Sequence, residues 1–194
     1  MSQNVLKLAQ EMIKMKKVLL SAITALGLTS VVFASEPAPK NVIKNPSFET
    51  GEKPWGKIIN AGKFNFSIDS TVAHNGKKSA KLKCTAIDPE ADGTWRQPKA
   101  WARWVLKVTV KPGAKYHFRC FARGEKGDNA RVTVFITGNE KPAVISFGLP
   151  LDGENWIELE DNTFKAKGNT AVIYLNYYGE GSAWFDDVEM IEIE

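Results

Sequence analysis

The sequence is poor in the side chains that most often carry chemistry. Its 194 residues hold two cysteines, Cys84 and Cys120, and two histidines, His74 and His117. No cysteine pair is closely spaced, so the usual ligand sets of a zinc site are missing. A large charge of one sign is missing too. The formal net charge is +4, and Lys7, Lys14, Lys16 and Lys17 against Glu11 put +3 of it into residues 1–34, leaving +1 for the rest. That balance is too weak to hold a phosphate backbone, so nucleic acid is not expected as a partner. After residue 34 there is no sustained helical period, no internal repeat and no sign of a second domain. Acids cluster at turns and in the last strand, and no pair of them can be set across a cleft in the way glycoside hydrolysis needs.

The one long apolar run is limited as well. From Met15, "MKKVLLSAITALGLTSVVFA" starts with Lys16 and Lys17, continues apolar, and ends on small residues before the polar "SEPAPK". It is broken by Ser21, Thr24, Gly27 and Thr29, and it is at the short end of the roughly 20 residues that span a bilayer. The pattern is that of a secretory signal peptide over 1–34, cleaved near Ala34, with Met15 as an alternative start. No cysteine follows it, so a lipid anchor is not supported. The protein is expected to be secreted, periplasmic or on the cell surface, with no membrane anchor after cleavage. Residues 35–40 read as a linker, and 41–194 as a single domain. The remaining 160 residues (194 less 34) are enough to bury a full core. In an oxidising compartment Cys84 and Cys120 either pair or stand as two buried thiols on separate strands.

What the sequence does have is alternation. "NGKKSAKLKCT" is an Asn-Gly turn entering a strand with Ala80, Leu82 and Cys84 on one face. "VTVKPGAKYHFRCFARG" is two strands about a Pro-Gly turn. "RVTVFITG", "WIELEDNTF", "AVIYLNYY" and "AWFDDVEMIEIE" continue the series. The expected fold is all-β, a sandwich of two antiparallel sheets with jelly-roll character. Core rows follow from period two: Tyr116, Phe118 and Cys120; Val132, Val134 and Ile136; Ile173, Leu175 and Tyr177; Trp104 with Leu106 and Val108.

Five pieces in order, "NVIKNPSFETG", "HNGKKSAKLK", "VKPGAKYHFRCFARG", "WIELEDNTFKA" and "AWFDDVEM", cover nearly all of residues 41–190. Together they resemble carbohydrate-binding modules of families four, nine, sixteen and twenty-two, which are jelly rolls of the galactose-binding-like group. The weakest match is "ADGTWRQPKAWARWVLK", which carries extra tryptophans. The resemblance implies a non-catalytic binder of polysaccharide or oligosaccharide, expected to act as a monomer. It also implies a structural Ca²⁺ site joining the first and last strands. Carried over, its residues are Glu49, ending the "NPSFE" strand, a backbone carbonyl near Lys78, and Asp186, with Ser47 as a further donor. Asp186 is preferred to Asp187 because alternation sets it on the side of Val188 and Met190. A carboxylate at a buried edge is costly unless something neutralises it, and a hard cation with oxygen ligands does so. The other reading pairs Glu49 with a lysine and leaves Asp186 as a solvated strand end.

A sugar ring offers a C–H face to stack on aromatics and hydroxyls for Arg, Asn, Gln or His. The non-core rows supply such groups: His117, Arg119 and Phe121; Arg131 and Phe135; Tyr174, Asn176 and Tyr178. Trp55 reads as a rim stacker after the Gly51 turn. Trp95 and Trp101 read as platforms, with Gln97 within reach of a hydroxyl. Trp156 and Trp184 match positions of the family that are mainly structural. Two other functions compete. One is a small jelly-roll polysaccharide lyase using His117, Arg119 and Tyr174 for proton abstraction beside a uronate. The other is a cell-surface adhesion domain.

Overall fold

A computed structural model describes residues 40–125, 130–153 and 155–193, and only the backbone of 162 and 163. The signal peptide, its cleavage near Ala34, the alternative start at Met15 and the linker up to residue 39 lie outside the described residues.

Ten strands make the domain: β1 (Gly56–Ala61), β2 (Lys63–Asp69), β3 (Ser79–Ala86), β4 (Trp101–Thr109), β5 (Lys115–Gly124), β6 (Arg131–Thr137), β7 (Val144–Pro150), β8 (Ile157–Lys165), β9 (Thr170–Tyr178) and β10 (Ser182–Glu192). They form two five-stranded sheets, ordered β1-β4-β9-β6-β7 and β2-β3-β10-β5-β8. Every pairing is antiparallel. The architecture is the expected sandwich.

The alternating rows account for the core. Trp104, Val132, Val134, Ile136, Ile173, Leu175 and Tyr177 from the first sheet are buried against Leu82, Tyr116, Phe118, Cys120, Leu159 and Phe185 from the second. Aromatic edges join the two layers, with Phe64 meeting Tyr177 at 6.3 Å and Phe147 meeting Phe118 at 6.0 Å, both at T-shaped angles. Such pairs add about 0.5–1.5 kcal/mol beyond the area they bury. Cys84, on β3, and Cys120, on β5, are both free thiols, separated by β10.

Two local features depart from the sequence reading. The "NPSFE" stretch is a set of turns, not a strand. Asn45 and Phe48 take φ of +51° and +55°, and the Asn45 amide holds the turn by donating to the carbonyls of Gly51 and Lys53. The turn drives Phe48, fully buried, onto Trp104 and Trp55 at centroid distances of 6.0 and 5.1 Å. Trp55 is therefore core, 5% exposed, its indole N–H donating to the Asn45 carbonyl at 3.2 Å. It is not a rim stacker. The second departure is a bulge in β10, where the register against β5 passes from Asp186↔Phe121 to Glu189↔Arg119. Asp187 at φ +46° is the extra residue. The bulge resets the alternation, so Asp186 shares the outward side with Phe121, opposite Val188 and Met190.

Candidate functional site

Strands β4, β9 and β6 lie side by side in the first sheet, and their register lines up the outward rows. Trp101, Tyr178 and Arg131 are neighbours, then Arg103, Asn176 and Thr133, then Val105, Tyr174 and Phe135. The Trp101 and Tyr178 rings stack at 5.3 Å with 16° between planes. Beneath them Asn176 is fully buried. Its side-chain oxygen accepts the Trp101 indole N–H at 3.1 Å, and its amide donates to the carbonyls of Thr133 and Tyr174 at 3.3 and 3.1 Å. Asn176 therefore orients the platform and does not meet a ligand, contrary to its sequence reading.

Arginines edge this platform. The Arg131 guanidinium carbon is 4.7 Å above the Tyr178 ring. That of Arg103 lies 5.0 Å from the Trp101 ring and 4.7 Å from the Tyr174 ring. Arg103 was not foreseen, although alternation around the buried Ala102 and Trp104 points it outward. Its Nε is buried without a hydrogen-bond partner among the described residues. Burial pushes the Tyr178 phenol up, and the positive charges of Arg131 and Arg103 pull against that shift. Phe135 is half-buried beside Tyr174.

The segment 87–100 borders one end of the face. It encloses a cavity of about 410 Å³ whose walls include Trp95, Lys99, Arg131, Tyr178, Asp92 and Glu180. Trp95 is 72% exposed, with the Arg96 guanidinium 5.0 Å over its ring. The segment is held by backbone bonds from Asp88 to Lys99 and from Gly93 to Gln97. Gln97 is exposed and does not line the cavity. Gly179 closes the wall at φ +119°, where a Cβ would sit 2.8 Å from the Ala130 Cα.

His117, Arg119 and Phe121 are elsewhere. They point outward from β5, which belongs to the second sheet. There His117 pairs with Glu160 at 3.2 Å, and Arg119 with Glu189 and Glu158 at 2.8 and 3.8 Å. Phe121 is stacked on His74 at 3.7 Å, and His74 contacts Asp187 at 2.7 Å. A second cavity of about 420 Å³ opens beside these groups. The reason for the misplacement is topological: β5 and β9 have the same alternating pattern but opposite sheets. The proposed lyase trio of His117, Arg119 and Tyr174 is thereby split between two faces. Trp184 is buried but outward-facing, its N–H donating to Asp69 at 2.9 Å, and Trp156 is half-buried at the edge of His74, 5.5 Å away.

Glu49 and Asp186 hold the two ends of one loop. Glu49 Oε1 accepts the N–H groups of Lys77 and Lys78 at 2.7 and 2.9 Å, and the Lys78 ammonium donates to the Glu49 carbonyl at 2.8 Å. The Lys77 N–H, helped by that of Lys78 and opposed by desolvation, keeps the Glu49 carboxyl below its ordinary range. Asp186, fully buried, accepts N–H groups from His74, Asn75 and Asp187. Burial pushes its carboxyl up to about 6 against those bonds. Gly76 crosses directly over Glu49 Oε1, leaving no room for a Cβ. The Ser47 hydroxyl is taken by Asp187 at 2.8 Å. Among the described residues no three of His, Cys, Asp and Glu gather to hold a metal. A hard cation here would use Glu49 Oε2, which accepts no hydrogen bond among those residues, a lone pair of Asp186 and backbone carbonyls. The chemistry of that set, two carboxylates and carbonyl oxygens, fits Ca²⁺.

No protein-family model matches the sequence, and no curated protein is similar to it at a significant level. Solved structures are similar in fold. TmCBM61 in complex with β-1,4-galactotriose has a TM-score of 0.62 at 20% identity, over 79% of this chain and 99% of that one. A family 16 carbohydrate-binding module has a TM-score of 0.55 at 17% identity, over 78% and 100%. The CBM22-1 xylan-binding domain of Paenibacillus barcinonensis Xyn10C has a TM-score of 0.56 at 14% identity, over 82% and 99%. The chain thus has the β-sandwich fold seen in these carbohydrate-binding modules.

Proposed function

We propose that this chain is a non-catalytic carbohydrate-binding domain that holds an oligosaccharide or polysaccharide across the outward face of β4, β9 and β6. The observation that carries the reading is the half-buried Trp101 ring, backed by the buried Tyr178 on which it stacks and fixed from below by Asn176. A rigid aromatic surface matches the C–H face of a pyranose, and ordering it in advance lowers the entropy lost on binding. Arg103, Arg131 and the exposed Trp95 supply hydrogen-bond donors and a second ring at its border. The test is gel retention on a polysaccharide panel, scored together with release of reducing or unsaturated products. Retention without products is expected. Products would replace the reading with an enzyme, and neither retention nor products would favour an adhesion domain with a protein partner. Export with cleavage near Ala34 belongs to the same reading, and the N-terminal sequence of the mature protein tests it.

Ca²⁺ at Glu49 and Asp186 is the structural part of the proposal. It is supported by a fully buried Asp186 carboxylate whose described partners are neutral N–H groups. Ligand binding at a hundredfold excess over Kd stabilises by about 2.7 kcal/mol, which for a domain of this size is roughly 5–10 °C in Tm. Chelation is expected to lower Tm by that amount and to leave saccharide affinity within about twofold. Identical melting curves with and without chelator would remove the ion from the proposal.

A further inference from the structure

The platform carries positive charge with no acid to answer it. Across β4, β9, β6 and β7 the outward register brings together Arg103, Lys107 and Arg131, with no Asp or Glu in the same rows. Among the described residues, neither Arg103 nor Arg131 has an ion pair or a hydrogen bond. Their guanidinium groups are held over Trp101, Tyr174 and Tyr178 instead. A cation–π contact fixes a guanidinium in place while leaving the N–H groups in its plane free to donate. A guanidinium with vacant, in-plane donors on a partly dry surface is a receptor for a carboxylate, which it binds through two parallel hydrogen bonds. Among the described residues, Asp92 and Glu180 line the end cavity together with Lys99 and Arg131. Asp92 is itself engaged by Thr94 at 2.7 Å.

Resting on the carbohydrate-binding reading, we infer that the ligand is an acidic saccharide whose uronate carboxylates are taken by Arg103 and Arg131 while a ring face meets Trp101. Adjacent β4 and β9, and adjacent β9 and β6, are each about 5 Å apart. The two arginines stand on either side of β9, one row apart. That separation, roughly 10–12 Å, is close to the distance across two sugar units, so one chain with uronates at alternate positions engages both.

The test uses polygalacturonate, alginate and glucuronoxylan, each beside its carboxyl-reduced counterpart, with a sulfated galactan as a charge control. Titration of the full domain should give at least tenfold tighter binding to one or more uronate polymers than to the reduced form, with affinity falling as salt rises. Arg131→Gln, at an exposed position, should erase most of that preference while leaving the melting temperature in place. Arg103→Lys should weaken it in part, because lysine keeps the charge and loses the two-pronged geometry. Arg119→Gln, on the opposite sheet, should change nothing. Equal or better binding of the reduced polymers would overturn the inference and keep the carbohydrate reading. Binding of sulfated galactan as tight as that of the uronates would overturn carboxylate recognition. Retention of no polymer at all would bring down both.

Discussion

The two outer faces of the sandwich are built from the same residue types and arrive at different electrostatic states. On the second sheet Lys81 pairs with Asp69, Arg119 with Glu189 and Glu158, and His117 with Glu160, and in the loop beside it His74 pairs with Asp187. Its aromatics are covered as well, Phe121 by His74 and Trp184 by Lys81 at 4.7 Å. On β4, β9 and β6 of the first sheet the Arg103 and Arg131 guanidinium groups rest on rings and have no ion pair among the described residues, and Trp101 is stacked on Tyr178. A face whose charges are internally paired is a finished surface. One whose donors are ordered but unanswered is organised for something outside the protein. An arginine on a strand therefore says little by itself; what surrounds its guanidinium decides whether it is structural.

The comparison can be broken most sharply by Trp101→Ala. Loss of the platform is expected to weaken saccharide binding at least tenfold, or about 1.4 kcal/mol, and, because the buried Asn176 oxygen loses its donor, to cost about 1–3 kcal/mol of stability, as measured by calorimetry alongside thermal melting. If Trp101→Ala binds as well as the parent, the first face has no recognition role. Next in size is Asp69→Asn. Burial would push the Asp69 carboxyl up, but hydrogen bonds from Thr71, Trp184 and Lys81 outweigh it and hold the group well below the usual range. Its contribution is therefore complete above the ordinary Asp value of 3.8 and is lost as pH falls below it. The substitution should cost about 1–3 kcal/mol at neutral pH and flatten the acid limb of the stability curve, with saccharide affinity unchanged. Weakened affinity would mean that the second face is not separate from recognition. The smallest effect is expected from Phe121→Ala and Arg119→Ala, which should alter affinity by less than twofold. The Arg119 pairs are half-exposed, and such pairs are worth about 0–1 kcal/mol.

Inward and outward were legible in the sequence, because period two is a local property of a strand. The rows through Phe118, Val134 and Leu175 follow from it directly. Which sheet an outward residue belongs to was not legible, since pairing β5 with β10 and β9 with β6 is decided by long-range register. His117, Arg119 and Phe121 were separated from Tyr174 and Tyr178 for that reason alone. Two local surprises have a different cause. A bulky residue at positive φ, as at Phe48, is rare enough that sequence patterns do not anticipate it. Trp55 was hidden because its burial depends on the turn that Phe48 and Asn45 make. Arg103 was within reach of the alternation argument, and Asn176 was placed on the right face with the wrong task.

The extra residue at Asp187 makes β10 a strand of two parities. Before it, odd-even order turns Phe185 toward the interior; after it, the order is inverted so that Val188 and Met190 also turn inward. A chain lacking Asp187 would run in regular alternation, with Phe185, Val188 and Met190 still turned inward and Asp186 outward. What it would lose is the carboxylate that accepts the Ser47 hydroxyl and meets His74. The one extra amino acid thus leaves the interior sealed and adds a second outward acid, through which the end of the domain is fastened to its beginning.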